Sequence, residues 1–143
     1  MATITADLVD SLRVEVRDER DHVWIADEPT DVGGNDTGPT PYELLLSALA
    51  ACTLITLRIV ADREEIPLDS VSAKFTYDRI HADDCTNCDD DVTGFLDQIT
   101  TEIFLDGSFD EQQRARLERV ATICPVHKTL ERGIHFNETI HAG

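Results

Sequence analysis

A long apolar helix dominates what this chain can fold into. Thr40 is the predicted N-cap, Pro41 takes the first helical position, and Glu43 follows the cap by three residues, which is a capping box with proline in its preferred place. The predicted helix 41–65 is apolar on nearly every side over residues 44–60. Such a helix is buried on several sides. Because a chain of 143 residues has few elements to cover it, a partner subunit is the expected cover.

The remaining pattern predicts strands and one further helix around the long helix. Alternating apolar residues indicate a hairpin before it, and two strands, a helix and a last strand after it. Ser108 is the expected cap of the later helix, with Glu111 three residues on, and Pro125 should interrupt it. This order predicts an α+β fold in a single domain, 1–143. The predicted ranges are hairpin 11–29, strands 69–82 and 95–107, helix 108–133 and strand 134–142.

The charge of the chain limits its partners. The formal net charge is −17, from 12 basic and 29 acidic residues. Phosphate binding needs basic patches, so nucleic acid and anionic membrane surfaces are not expected partners. Self-repulsion of this size is relieved by concentrated salt, which predicts a halophilic source. The start lacks the pattern of a signal peptide and the run 44–60 is too short for a membrane span, so a cytoplasmic location is expected.

Two cysteines lie in apolar helical surroundings. Cys52 is in the long helix and Cys124 is in the later helical segment, where Pro125 breaks the regular packing and His127 is close enough to polarise a thiol. Two buried cysteines can act simply as small hydrophobic residues. A thiol pair in a dry pocket alternatively suits peroxide reduction, in which one sulfur is oxidised and the second forms a disulfide with it. Both interpretations are open at this point.

The segments "GPTPYELLLSALAACT" and "CPVHKTL" resemble the OsmC/Ohr family of thiol-dependent hydroperoxide reductases. The resemblance extends from about Val23 to the end of the chain. It implies an intertwined homodimer with two long central helices inside wrapped sheets, and two active sites built from both subunits. It assigns peroxide attack to Cys52 and resolution to Cys124. It implies a small hydroperoxide substrate, a thiol reductant and no required cofactor.

The sequence departs from this family at the groups that activate the thiol. Family peroxidases usually carry a glutamate directly after the proline of the helix start, paired with an arginine of the N-terminal hairpin. Here Tyr42 follows the proline and Glu43 comes one residue later, about 100° further round the helix. The cap explains Glu43 without catalysis, although a catalytic role is also open. The candidate arginines of the hairpin are Arg13, Arg17 and Arg20, of which Arg17 is the preferred catalytic candidate.

A second group of candidate ligands lies in the acidic loop "HADDCTNC". His81, Cys85 and Cys88 have metal-ligand spacing, but a structural zinc site takes four ligands. The two cysteines can instead form a local disulfide or a redox relay, or be incidental thiols of a surface loop.

The sequence as a whole is compatible with two functions. One is a peroxidase acting on organic hydroperoxides through Cys52 and Cys124. The other is a non-catalytic dimer that binds a small hydrophobic ligand, or zinc through this loop.

Overall fold

A computed structural model describes residues 1–86 and 88–143. It is a mixed α+β structure, as predicted, and its contacts divide it into two compact units, Met1–Ser47 and Ala48–Gly143. The interpretation as a single domain therefore stays a prediction. The strands are β1 (Ile4–Asp10), β2 (Arg13–Asp18), β3 (Val23–Ala26), β4 (Leu68–His81) and β5 (Phe95–Gly107), and the helices are α1 (Pro41–Arg63), α2 (Glu111–Ala121) and α3 (Pro125–Arg132).

The first unit contains an antiparallel sheet in the order β1-β2-β3. The predicted hairpin is confirmed as β2 and β3, with Val16 opposite Trp24. Strand β1 pairs with the other edge of β2, where Ala6 lies opposite Val16. The sequence did not predict β1, because all seven of its residues are exposed and no buried face imposes an alternating pattern.

A buried carboxylate, Asp27, organises the loop that follows this sheet. Its side chain accepts hydrogen bonds from the backbone N–H of Glu28 at 2.8 Å, and from the N–H and hydroxyl of Thr37 at 3.1 and 2.6 Å. The Thr37 hydroxyl is the main cause that lowers the pKa of Asp27 from 3.8 to about 2, and the backbone donors add to it against the effect of burial. The charged form of Asp27 therefore holds the loop together.

We expect Asp27→Asn to destabilise the protein at neutral pH, with an effect that disappears in acid. The folded-state pKa of Asp27 lies below its ordinary value, so its contribution is present above about pH 4 and is lost as the pH falls towards about 2. Thermal unfolding of both proteins between pH 2 and 7 measures this. The difference in melting temperature should be largest above pH 4 and should shrink below it. A pH-independent difference would contradict the assignment.

Helix α1 begins as the sequence predicts. The N–H of Thr40 donates to Glu43 Oε2 at 2.7 Å, and the N–H of Glu43 donates to Thr40 Oγ1 at 3.3 Å, which confirms the capping box. The helix ends at Arg63, two residues before the predicted end. Its start is thus fixed by local sequence rather than by tertiary packing.

The apolar surface of α1 is only partly covered by this chain. One side, which includes Leu57, is buried. Another side stays open: Ile55 is 58% and Ile59 is 56% exposed, and Leu45 is also exposed. Burial on all sides is therefore not achieved within one copy. With 23 residues, α1 is long and apolar enough to cross a membrane, by length and composition alone. This differs from the expectation that the run 44–60 is too short for a membrane span.

The second unit packs the C-terminal part of α1 and helix α2 with the β4–β5 hairpin. The two strands pair antiparallel over their whole length, from Leu68 opposite Gly107 to His81 opposite Phe95, which confirms both predicted strands. Leu57 and Leu117 are fully buried in the shared core, and each such side chain stabilises the fold by about 1.5–3 kcal/mol. The core fixes α1 in this unit, and with it the position of Cys52.

The helical segment after β5 differs from the prediction at its start and in its continuity. The capping box is made by Asp110 and Gln113, and not by Ser108 and Glu111. The N–H of Gln113 donates to Asp110 Oδ1 at 2.8 Å, and the N–H of Asp110 donates to Gln113 Oε1 at 3.0 Å. The segment is split into α2 and α3, which confirms the predicted interruption at Pro125, and Gly133 is the C-cap of α3.

The predicted last strand is not formed. Residues 134–143 are exposed and have no secondary structure, although Ile134, Phe136 and Ile140 follow the alternation of a strand. The alternation alone cannot make a strand, because strand amides need hydrogen bonds from a neighbouring strand.

Candidate functional site

The two free cysteines meet at the start of α3. The backbone N–H of Val126 donates to Cys52 Sγ at 3.5 Å, and the N–H of the next residue, His127, donates to Cys124 Sγ at 3.3 Å. Cys124 is the N-cap of α3, with φ −61° and ψ 151°, and Pro125 occupies the first helical position. Neighbouring amides of one helical turn thus hold the two sulfurs, although the two cysteines are 72 positions apart in the chain.

The start of α3 favours negative charge on these sulfurs. The first N–H groups of a helix have no carbonyl partner within it, and the aligned peptide dipoles place a partial positive charge there. Proline at the first position removes an N–H that would be unpartnered anyway. The site therefore supplies backbone hydrogen-bond donors to both sulfurs.

The two sulfurs differ in access. Cys124 is completely buried, whereas Cys52 is partly exposed. A molecule arriving from solvent therefore has more access to Cys52 than to Cys124. This asymmetry separates a thiol that can react first from one that can react only with its neighbour.

A cavity of about 380 Å³ lies in the second unit, and its lining includes two residues that contact Cys124. Thr53 and His127 line it, and both also contact Cys124 Sγ, Thr53 through its hydroxyl at 3.4 Å and His127 through its backbone N–H. Its other walls come mainly from the sheet and from α2, and are mostly apolar: Phe75, Ile99, Thr101, Ile103, Leu105, Leu117, Glu118, Ala121 and Thr122. This cavity can hold the apolar body of a small molecule.

The contact of His127 with Cys124 is made by its backbone N–H and not by its imidazole ring. Its Nε2 lies 3.7 Å from Glu131 Oε1, and the contact with Cys124 comes from the backbone. The polarising role that the sequence suggested for His127 is thus filled by its amide.

The predicted activating groups all lie in the first unit. Glu43 makes the capping box, and its catalytic role stays a prediction. Arg17 is within 3.4 Å of Glu15 and 3.5 Å of Asp21, and Arg20 is 3.2 Å from Asp18. Arg13 differs, because its buried Nε has no hydrogen-bond partner in the described residues. The catalytic role predicted for Arg17 also stays a prediction.

The acidic loop after β4 contains a disulfide between Cys85 and Cys88, which is one of the states the sequence left open. His81 Nδ1 lies 3.2 Å from Asp83 Oδ2, and its ring packs edge-on against Phe95. Within residues 1–86 and 88–143, no group of three His, Cys, Asp or Glu side chains is arranged to hold a metal ion. Zinc binding by His81, Cys85 and Cys88 requires the reduced thiols and stays a prediction.

Two members of the site were not identified from the sequence. The Val126 amide has no side-chain signal of its own, but a cysteine directly before proline is compatible with an N-cap, and the two amides after that proline would then point at the sulfur region. Thr53 lies within an apolar helix and is almost completely buried. A polar residue on the buried face of such a helix is the signal that identifies it.

Comparison with protein families gives one match. The model of the family described as OsmC-like protein matches residues 33–139, a range that contains Cys52, Cys124 and the helices that position them. No curated relative matches the sequence.

Solved structures similar to this chain support the same fold. An OsmC-like protein from Mycoplasma pneumoniae is 25% identical with a TM-score of 0.68, and the match covers 92% of this chain and 87% of that protein. A protein of Psychrobacter arcticus 273-4 assigned to osmotic stress induction and detoxification response is 24% identical, with a TM-score of 0.69 and coverage of 94% and 89%. An organic hydroperoxide resistance protein OsmC from Legionella pneumophila is 18% identical, with a TM-score of 0.65 and coverage of 91% and 88%.

Proposed function

The chain belongs to the family of OsmC-like proteins, and on this premise we propose that it is a thiol-dependent peroxidase that reduces organic hydroperoxides through Cys52 and Cys124. The observation that carries the proposal is the shared turn of α3, whose amides donate to both sulfurs. This turn brings the sulfurs of Cys52 and Cys124 to consecutive backbone amides. The similar Legionella protein is named for organic hydroperoxide resistance.

The first step takes place at Cys52, the sulfur that solvent can reach. Its thiolate attacks the terminal oxygen of the hydroperoxide, an S–O bond forms, and the O–O bond breaks. The organic fragment leaves as an alkoxide that takes a proton to become an alcohol, and Cys52 becomes a sulfenic acid. Before the attack, the N–H of Val126 stabilises the thiolate.

The second step uses Cys124. Its sulfur attacks the sulfur of the Cys52 sulfenic acid, an S–S bond forms, the S–O bond breaks, and the oxygen leaves as water with the thiol proton. An external thiol reductant returns the disulfide to two thiols by exchange. Because Cys124 is completely buried, the reductant attacks at Cys52.

The preference for organic substrates rests on the surroundings of the site. The cavity lined by Thr53 and His127 has mostly apolar walls, and burial of an apolar substituent there contributes about 25 cal/mol per Å². Hydrogen peroxide has no such substituent. An organic hydroperoxide is therefore the better substrate.

The assembly and location form part of the same proposal. The exposed apolar side of α1, with Leu45, Ile55 and Ile59, supports a homodimer in which a second copy covers it. The protein would act in the cytoplasm, on a small hydroperoxide and a thiol reductant, and without a required cofactor. Arg17 and Glu43 stay proposed contributors to thiolate activation.

The proposal is tested by counting thiols. Protein reduced with a phosphine should lose two thiols per chain when cumene hydroperoxide is added, and peptide mapping should find a Cys52–Cys124 disulfide. The rate with cumene hydroperoxide should exceed that with hydrogen peroxide at least about tenfold, because one buried aromatic substituent contributes more than 1.4 kcal/mol. A disulfide found only at Cys85–Cys88, with both other thiols intact, would contradict the proposal.

The cavity also favours a second function, the binding of a small hydrophobic ligand without chemistry. Its volume of about 380 Å³ falls in the range of ligand pockets. A protein of this kind would bind an apolar fluorescent probe and keep both free thiols in the presence of hydroperoxide. The same thiol count therefore separates the two functions.

A further inference from the structure

Thr53 is a buried polar residue that the proposed reaction does not yet use. It directly follows Cys52 in α1, and only 1% of it is exposed. Its Oγ1 lies 3.4 Å from Cys124 Sγ, within hydrogen-bond distance for sulfur. A buried hydroxyl is stable only with a partner, so this contact is expected to persist in the folded protein.

The other helical hydroxyls near it behave differently. Ser47 and Thr56 each donate to the carbonyl four residues earlier, at 2.7 Å, which is the usual contact of a hydroxyl inside a helix. The hydroxyl of Thr53 instead reaches across to another element. The long-range contact joins the helix of one cysteine to the sulfur of the other.

We propose that Thr53 is a positioning residue for the step in which Cys124 resolves oxidised Cys52. The proposal rests on the proposed function. A hydroxyl can accept from the thiol of Cys124 and can donate to its thiolate, so the contact persists when that sulfur loses its proton. Because Thr53 is the neighbour of Cys52 in the same helix, it holds Cys124 in place beside the sulfur that Cys124 must attack.

The second step should be affected more than the first. Attack on the hydroperoxide uses Cys52, whose recorded donor is the N–H of Val126 and not Thr53. In the second step Cys124 changes from thiol to thiolate and then to disulfide, and the hydroxyl contacts the sulfur that changes. Loss of the hydroxyl should therefore slow disulfide closure more than it slows the oxidation of Cys52.

Two variants separate the hydroxyl from the shape of the side chain. Thr53→Val keeps the branched shape and removes the hydroxyl, whereas Thr53→Ser keeps the hydroxyl. After one equivalent of cumene hydroperoxide, the rate of disulfide closure relative to the rate of peroxide consumption should be about tenfold lower in Thr53→Val than in wild type, the usual effect of losing one hydrogen bond to a charged group. The Cys52 sulfenic acid should accumulate and be trapped by dimedone. Thr53→Ser should restore rapid closure.

A second measurement does not depend on peroxidase activity. Dithiodipyridine reacts with Cys52 and releases one thiopyridone, and attack of Cys124 on the mixed disulfide releases a second. Thr53→Val should slow the second release about tenfold and the first within twofold. Equal second-release rates in wild type and Thr53→Val would overturn the positioning role. Failure of wild type to consume hydroperoxide would overturn the peroxidase proposal alone.

Discussion

Replacement of Cys52 by serine is expected to abolish hydroperoxide consumption, with a loss of at least about a thousandfold. The serine hydroxyl is not ionised near neutral pH and is a far weaker nucleophile than a thiolate, and the thiol that remains, Cys124, is completely buried. The measurement is the rate of loss of cumene hydroperoxide in the presence of excess dithiol. Full activity of Cys52→Ser would show that another thiol is the nucleophile.

Replacement of Cys124 by serine should separate the two chemical steps. This variant keeps Cys52, so one equivalent of hydroperoxide should be consumed and one sulfenic acid formed, after which reaction stops unless an external thiol attacks Cys52. Mass spectrometry after dimedone treatment measures the trapped species. The matched control is the double variant Cys85→Ser/Cys88→Ser, which removes the loop disulfide and should retain both steps.

Replacement of Ile55 by aspartate is expected to convert a dimer into monomers. Ile55 is 58% exposed on the open apolar side of α1, and a second copy would bury it together with its symmetry mate. An unpaired buried carboxylate weakens such an interface by about 3–5 kcal/mol, which corresponds to a dissociation constant raised about a thousandfold. Sedimentation in molar salt should give about twice the 15.9 kDa chain mass for wild type and the single mass for the variant.

The control for this experiment is Arg58→Gln, which lies on the same helix and changes the net charge by the same amount. Arg58 makes an exposed contact with Asp62 at 3.2 Å, and such pairs contribute little. It should remain a dimer. A wild-type protein that is monomeric and folded at micromolar concentration would contradict the assembly, and a dimeric Ile55→Asp would place the interface elsewhere.

Features determined by local chemistry could be predicted from the sequence. The capping box of Thr40 and Glu43 needs only residues within one turn, and the alternation in β4 and β5 reflects one covered face. Pro125 marked the break between α2 and α3 because proline lacks the N–H that a continuous helix needs. These signals also placed Cys52 on a buried helix and Cys124 at a helix boundary.

Features that depend on distant or competing partners were missed or wrong. Ser108 and Asp110 are both acceptable caps by residue type, and the choice depends on where β5 ends, which spacing does not give. The alternation at Ile134 to Ile140 has no strand beside it in this chain. The spacing of Cys85 and Cys88 is compatible with zinc binding and with a disulfide, so the sequence alone does not distinguish the two. The contact of Thr53 with Cys124 spans 71 positions, and no local pattern encodes it.

The sulfur of Cys124 has two tasks, because it is also the cap of α3. In the reduced protein it accepts the N–H of His127 and so completes the first turn of that helix. When it joins Cys52 in a disulfide, its capacity to accept hydrogen bonds becomes weaker, and the cap loosens. Each catalytic cycle would then loosen and restore the first turn of α3. The order of this turn would therefore depend on the oxidation state of the two cysteines.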